Sequence, residues 1–291
     1  MEDSSQSSSH FNDVVLECDE ADTDCLYRIG RFSEHDYHVV YVTINNIDLI
    51  IPERMDRVFP SAIFRELRKH SQWAEHSWRT MELSLKDDRI IVELDREPPH
   101  SMTEHEDLLD LPRYNLFWFD KTVRLNCNTT SRVHLGDRSF IAKIAPFRYL
   151  LPFISNEVAI YHAFIERQSA LLPRLFGYVY EEHPDRVVGF LCEAIEGKHP
   201  GPTQRSKCRE ALQQLHEQGL YHGDINNYNM IVTAAGEIVF IDFETSVLVT
   251  SEEQMTAMAA KMQEEMEILE RCPLAEIDKL EAPYTIRVST L

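Results

Sequence analysis

The sequence predicts an α+β protein. Three observations carry that reading. Short runs rich in β-branched and aromatic residues recur between polar turns, as in HVVYVTI (38–44) and RSFIAKIAP (138–146). Helical stretches such as NEVAIYHAFIERQ (156–168) and RSKCREALQQLHEQG (205–219) lie among them. The 291 residues are 43% apolar, enough to bury a core, and at roughly 150 residues per domain they allow one or two domains.

The elements follow in order. Residues 1–10, MEDSSQSSSH, are polar and acidic and are expected to be a disordered tail. An N-terminal extension, 11–112, should contain strands at DVVLECD (13–19), HVVYVTI (38–44), IDLIIP (47–52) and RIIVELD (89–95). Its helix should span 61–78, with Ile63, Phe64, Leu67 and Trp73 on the apolar side. REPPHSMTEHEDLLDLP (96–112) reads as a linker or an exposed segment. From 113 to 291 the pattern is more regular. KTVRLN (121–126), SRVHLG (131–136) and RSFIAKIAP read as three strands, followed by the 156–168 helix with Ser155 or Asn156 as N-cap. RLFGYVYEE (174–182) and RVVGFLCEAI (186–195) read as a strand pair around EEHPD (181–185), expected to be a solvated turn. The 205–219 helix closes at Gly219; Met230–Val232 and EIVFIDF (237–243) are strands, and Ser251 with Gln254 should cap a packing helix running to about Arg271.

Composition excludes several functions. A net charge of −20 argues against nucleic-acid backbone binding, which needs clustered Lys and Arg. Cys18, Cys25, Cys127, Cys192, Cys208 and Cys272 show no CxxC or zinc spacing, so reduced thiols in a cytoplasmic protein are expected. The polar, acidic opening does not read as a secretory leader, so none is expected, and no apolar run approaches the length of a membrane span. An NTT triplet at 128–130 fits a glycosylation acceptor but carries no weight without such a leader.

The chemistry-bearing residues concentrate in YHGDINNYNMIV (221–232) and VFIDFE (239–244). Asn229 stands five residues after Asp224, and Asp242 thirteen after Asn229, a gap that suits a β-hairpin carrying both to one site. His222 is expected to be a structural hydrogen-bonder. Lys143 stands alone in an apolar strand, where an unpaired ammonium would be costly. Glu157, read by itself, also suits an ordinary first-turn helix acid.

H-G-D-x4-N followed by D-F-E resembles the catalytic loop and metal-binding element of the protein-kinase-like superfamily. The resemblance spans roughly 120–270 and implies a two-lobed α+β fold, with an N-lobe at about 113–192 and a C-lobe at about 196–291. It implies that Asp224 is the catalytic aspartate, that Asn229 and Asp242 hold the metal, and that Lys143 in FIAKIA contacts the phosphates with Glu157 as its ion-pair partner. LCEAIEG resembles the hinge, with Cys192 as gatekeeper and the Glu193 carbonyl and Ile195 N–H facing adenine. The turn at 126–131 has no glycine; the hydroxyls of Thr129, Thr130 and Ser131 are candidates to cover phosphates there.

Departures from the pattern are informative. Glu244 replaces the glycine of D-F-G, Gly223 stands where protein kinases usually carry Arg, and Asn226 stands where they usually carry Lys. The first two resemble aminoglycoside-phosphotransferase-type and other atypical small kinases, and the wording of the loop resembles uncharacterised fungal kinase-like proteins. Only 47 residues follow Glu244 in the chain of 291, without an A-P-E element, so a reduced C-lobe is expected. The resemblance implies an ATP- and Mg²⁺-dependent phosphotransferase acting on a hydroxyl acceptor, a small molecule slightly ahead of a protein. The alternatives are a pseudokinase or nucleotide-binding interaction module without turnover, and adenylyl transfer. No nucleic-acid or membrane partner is expected; a partner protein could supply the missing substrate platform.

Overall fold

The computed structural model describes residues 11–34, 36–102, 108–125 and 129–275. The expected tail at 1–10, Cys127 and the first half of the 126–131 turn lie outside them. The first five strands form one sheet in sequential order: β1 (Asn12–Glu20), β2 (Asp24–Phe32), β3 (Tyr37–Asn45), β4 (Thr80–Lys86) and β5 (Arg89–Leu94). Neighbours are antiparallel except β3 and β4, which run parallel. Parallel pairing needs a crossover, and residues 46–79 supply it, carrying the short α1 (Ile47–Ile50) and α2 (Pro60–Leu67). This layer has its own core, which includes Tyr27, Ile29, Ile44, Ile63, Trp73 and Trp78.

The crossover corrects two expectations. Residues 47–52 are not a strand. Asn46, at φ 57°, turns the chain out of β3, and Ile47, Ile50 and Ile51 then bury one helical side. Helix α2 ends at Leu67 rather than near 78 because the chain wraps round a buried guanidinium. Arg31 lies 4.0 and 4.6 Å from the Trp73 and Trp78 rings and donates to the Trp73 and Glu75 carbonyls at 2.9 and 3.1 Å. Strands β2 and β4 go beyond those expected. In β2 the charges of Arg28 and Arg31 hide the apolar pattern, and both are buried against acceptors.

The two-lobed kinase-like α+β body follows. Its N-lobe is a six-stranded sheet in the order β6 (Arg113–Asn115), β10 (Leu175–Tyr180), β11 (Val187–Glu193), β9 (Arg138–Ile144), β8 (Thr130–Leu135), β7 (Lys121–Arg124), with α3 (Leu151–Ile165) packed on it. Strand alternation divides its two faces, shifted by one at Val188 where the β10–β11 pairing has an irregularity. Phe140, Ala142, Val188 and Leu191 fill one face with Phe119. Val187, Phe190 and Cys192 turn to the other, into a core shared with α3 and the C-lobe. The C-lobe contains α4 (Arg205–Glu217), α5 (Glu252–Arg271), a three-stranded sheet of β12 (Gly197–Lys198), β14 (Met230–Thr233) and β15 (Ile238–Phe240), and the pair β13 (Leu220–Tyr221) with β16 (Val247–Leu248). Among the described residues, no helix is long and apolar enough to cross a membrane.

Two stretches expected at the surface are largely exposed but bury particular residues between the sheets. In the 181–185 turn, Glu181 is 1% exposed. Its carboxylate takes an ion pair from Arg28, Arg186 at 2.9 Å and the Tyr41 hydroxyl at 2.8 Å. Burial alone would raise its pKa, but the two guanidiniums outweigh that and hold it at about 2. Within 96–112, His100, Ser101 and Met102 are buried, and His100 Nε2 lies 2.7 Å from the Ala145 carbonyl.

Desolvation lowers the His100 pKa to about 4 despite that hydrogen bond. The unfolded chain therefore binds the proton first, and stability falls as pH drops from the ordinary value near 6.5 towards 4. The full effect is about 3 kcal/mol. In urea titrations, the stability gap between wild type and His100→Gln should shrink by that order between pH 7 and pH 4. A gap independent of pH removes His100 as the titrating group.

Candidate active site

The geometry grows out of one hairpin and the turn before it. Gly219, at φ 78°, reverses the chain after α4, and β13 pairs with β16 to carry it into the core. His222 is fully buried. Its Nδ1 takes the Asp224 N–H at 3.3 Å, which leaves Nε2 to donate to the Ile241 carbonyl at 3.1 Å. Burial lowers its pKa, so the ring is a neutral strut, as expected from the sequence. Ile225 anchors the loop in the core, and a 3-10 turn at Asn227–Asn229 opens on Asn226, whose side chain accepts from Tyr228 N at 2.8 Å. The turn brings Asn229 back onto Asp224: Nδ2 reaches both the Asp224 carbonyl and Oδ2 at 2.9 Å. The β14–β15 hairpin follows, and Ile241 N closes it on the Asn229 carbonyl at 3.0 Å. Thirteen residues thus set Asp242 beside Asn229. Asp242 sits at φ 70°, a conformation that costs a non-glycine residue of order 1–3 kcal/mol and tends to mark functional sites.

Lys143 enters from β9. It is 6% exposed, and its ammonium meets Glu157 Oε2 at 2.6 Å, Asp242 Oδ1 at 2.6 Å and Glu244 Oε1 at 2.8 Å. Burial alone would depress this ammonium; the three carboxylates more than offset that and hold it above its usual range. Glu157, on α3, is 2% exposed, and burial raises its carboxyl even with Lys143 beside it. These residues close one end of a cleft of about 480 Å³ between the lobes, which Thr129, Thr130, Cys192, Glu193, Ile195, Asn229 and Asp242 also line. Cys192 is an inert thiol there, pushed up to about 12 by burial. Asp224 is exposed and stands just outside this lining, tied to it through Asn229. Ser131 is also outside the lining, on β8 where successive side chains point to opposite faces, while Thr130 and Arg132 line the cleft.

Several contributors were not assigned to the site from the sequence. Asn156 is no N-cap, since α3 already begins at Leu151 with Pro152 in its first turn. Its amide instead reaches the carbonyls of Phe243, Glu244 and Ser246 at 3.2, 3.1 and 2.9 Å, fastening α3 to the turn after Asp242. Glu265 on α5 is 2% exposed and accepts from His222 N at 3.2 Å and Gly223 N at 2.7 Å, with His216 Nε2 at 2.7 Å. The signal for it was one acid on the buried stripe Met262, Glu265, Leu269. Arg132 and Glu196 meet at 2.6 Å, and His199 and Tyr228 stack edge to face at 5.5 Å; all four line the cleft.

Gly223 explains its own departure from the kinase pattern. It lies at φ 87°, and a Cβ there would come 2.5 Å from the Thr245 carbonyl oxygen. Gly223→Ala should lower unfolding free energy by at least about 2 kcal/mol in denaturant titration. A change under 0.5 kcal/mol would show that the 223–245 approach relaxes freely.

The donor set fits a divalent cation. Oxygens of Glu157, Asp242 and Glu244 lie within 4.8 Å of one another around the Lys143 ammonium, and on the open side Asp242 and the Asn229 side-chain Oδ1, which receives no donor among the described residues, are the oxygens left for a cation. Hard carboxylate and amide oxygens suit Mg²⁺.

Fold and cleft together define a protein-kinase-like architecture. Residues 200–276, about a quarter of the chain, match the RIO domain family, whose kinases belong to the atypical protein-kinase-like superfamily. The match runs from the start of the C-lobe through α4, the 222–229 loop, Asp242 and α5. No curated protein matches the chain.

Proposed function

We propose that this protein is an ATP- and Mg²⁺-dependent phosphotransferase acting on a hydroxyl acceptor, of the atypical small-kinase, aminoglycoside-phosphotransferase-like kind. The observation that carries the reading is the convergence of Lys143, Glu157 and Asp242 at one end of a cleft whose other parts suit a nucleotide. Ile195 and the Glu193 carbonyl would meet adenine in the cleft, and Thr129 and Thr130 would stand over the phosphates. Lys143, braced by Glu157, would take an α- or β-phosphate oxygen. Asn229 and Asp242 would hold Mg²⁺, which neutralises phosphate charge when bound.

Asp224 would orient the acceptor. Its Oδ2 takes the amides of Asn226 at 3.1 Å and Asn229 at 2.9 Å, and its Oδ1 receives no donor among the described residues. The acceptor hydroxyl would point at Oδ1, attack the γ-phosphorus as the bond to the bridging oxygen of ADP breaks, and pass its proton to Asp224. Catalysis would rest on positioning and charge neutralisation. A small-molecule acceptor is favoured because the described C-lobe beyond Asp242 contains only β16 and α5, with no helical platform for a peptide. The cytoplasm suits such a reaction.

A second reading, a nucleotide-binding module without turnover, draws on Lys143 being held by Asp242 and Glu244 as well as Glu157. Thermal shift tests the nucleotide site common to both. ATP with Mg²⁺ at a hundred times Kd should stabilise wild type by about 2.7 kcal/mol, and Asp242→Asn should lose most of the gain. No shift in wild type rules out both. Transfer of γ-phosphate to any hydroxyl acceptor then separates enzyme from binder, and a product heavier by AMP instead would mark adenylyl transfer.

A further inference from the structure

The turn after Asp242 carries a carboxylate where the resembling pattern has glycine, and that carboxylate is in use. Lys143 has three N–H donors. Two are hydrogen-bonded, to Glu157 and Asp242 at 2.6 Å, and Glu244 Oε1 stands 2.8 Å from the ammonium as an ion pair. With three carboxylate oxygens packed this closely round the ammonium, an incoming phosphate oxygen has to displace one of them.

The three differ in their freedom to leave. Glu157 is 3% exposed at its side chain and has no route to solvent. Asp242, although the most exposed of the three at 42%, is fixed on a left-handed backbone and belongs, on the nucleotide reading, to the cation. Glu244 makes the longest of the three contacts, is 30% exposed, and swings from a turn whose backbone Asn156 holds in place. We propose that Glu244 is a positioning residue that occupies the phosphate's place on Lys143 and makes nucleotide entry conditional on a divalent cation. Without the cation, incoming phosphates face Asp242 and Glu244 as uncompensated like charges and must compete with Glu244 for Lys143. With it, Asp242 is neutralised and Glu244 is released to solvent.

The proposal rests on the nucleotide reading of the cleft. It is tested by calorimetric titration of the full chain with ATP, once with excess chelator and once with excess Mg²⁺. Wild type should bind ATP weakly in chelator and well in Mg²⁺. Glu244→Gln should bind ATP in chelator more tightly by on the order of tenfold, the scale of one charge-assisted hydrogen bond. Its affinity in Mg²⁺ should stay within about twofold of wild type. The ratio of the two constants, the Mg²⁺ dependence, is a readout that a merely structural role would not move. Glu244→Gly should move it the same way, and serves if the first variant folds poorly. An unchanged ratio in both variants overturns the proposal. So does weaker binding in Mg²⁺, which would make Glu244 a ligand of the cation instead. If wild type binds no ATP with Mg²⁺, the nucleotide reading itself fails, a result distinct from either.

Discussion

Asp224→Ala should lower phosphoryl-transfer turnover by about 10²–10⁴-fold, the range for losing a positioned proton acceptor. ATP–Mg²⁺ affinity and melting midpoint should stay close to wild type. The separation follows from where the side chain stands. Asp224 is exposed, so its removal leaves no cavity. Asn229 keeps its 2.9 Å bond to the Asp224 backbone carbonyl, so the metal side of the loop remains in place. Asp224→Asn preserves shape but cannot take the proton, and should fall as far. If both variants turn over within threefold of wild type, Asp224 is not the group that receives the acceptor's proton.

Glu181→Ala should cost about 3–5 kcal/mol of unfolding free energy, the range for stripping one partner from a buried charge pair. Arg28 would lose its carboxylate entirely, while Arg186 would keep Glu182 at 3.4 Å. The damage should concentrate where the five-stranded sheet meets the N-lobe, because Arg28 belongs to β2 and Glu181 follows β10. With its pKa held at about 2, below the ordinary 4.5, Glu181 contributes stability that is full above pH 4.5 and declines as pH falls towards 2. Equilibrium urea unfolding of wild type and variant at pH 7 measures the cost. A difference below 1 kcal/mol would mean that Arg28 finds another acceptor or water, and that the interface is held by its apolar contacts.

The part of the site that the sequence made legible is the part built locally. Asp224, Asn229 and Asp242 lie on one loop and hairpin, so their spacing already encodes their proximity, and Lys143 betrayed itself as a charge in an apolar strand. Glu265 reaches the same loop from 42 residues further on, and Asn156 reaches the turn at Phe243 from 87 residues before it. Nothing in either local pattern announces such partners. The 181–185 turn is the clearest case. Its composition is that of a solvated hairpin, and burial of Glu181 is made tolerable by Arg186 nearby together with Arg28 and Tyr41, 153 and 140 residues away. The same holds for β2, whose arginines look like surface residues until their acceptors are known. Composition marks a charge as exposed by default, and long-range pairing is what reverses it.

The most direct test of the nucleotide site is a crystal structure of the protein with Mg²⁺ and a non-hydrolysable ATP analogue. It should show adenine against Glu193 and Ile195, a metal between Asn229 and Asp242, a phosphate oxygen on Lys143 in place of Glu244, and the γ-phosphate facing Asp224. A nucleotide bound outside the cleft, or a cleft left empty at saturating analogue with Lys143 still on Glu244, would contradict the account.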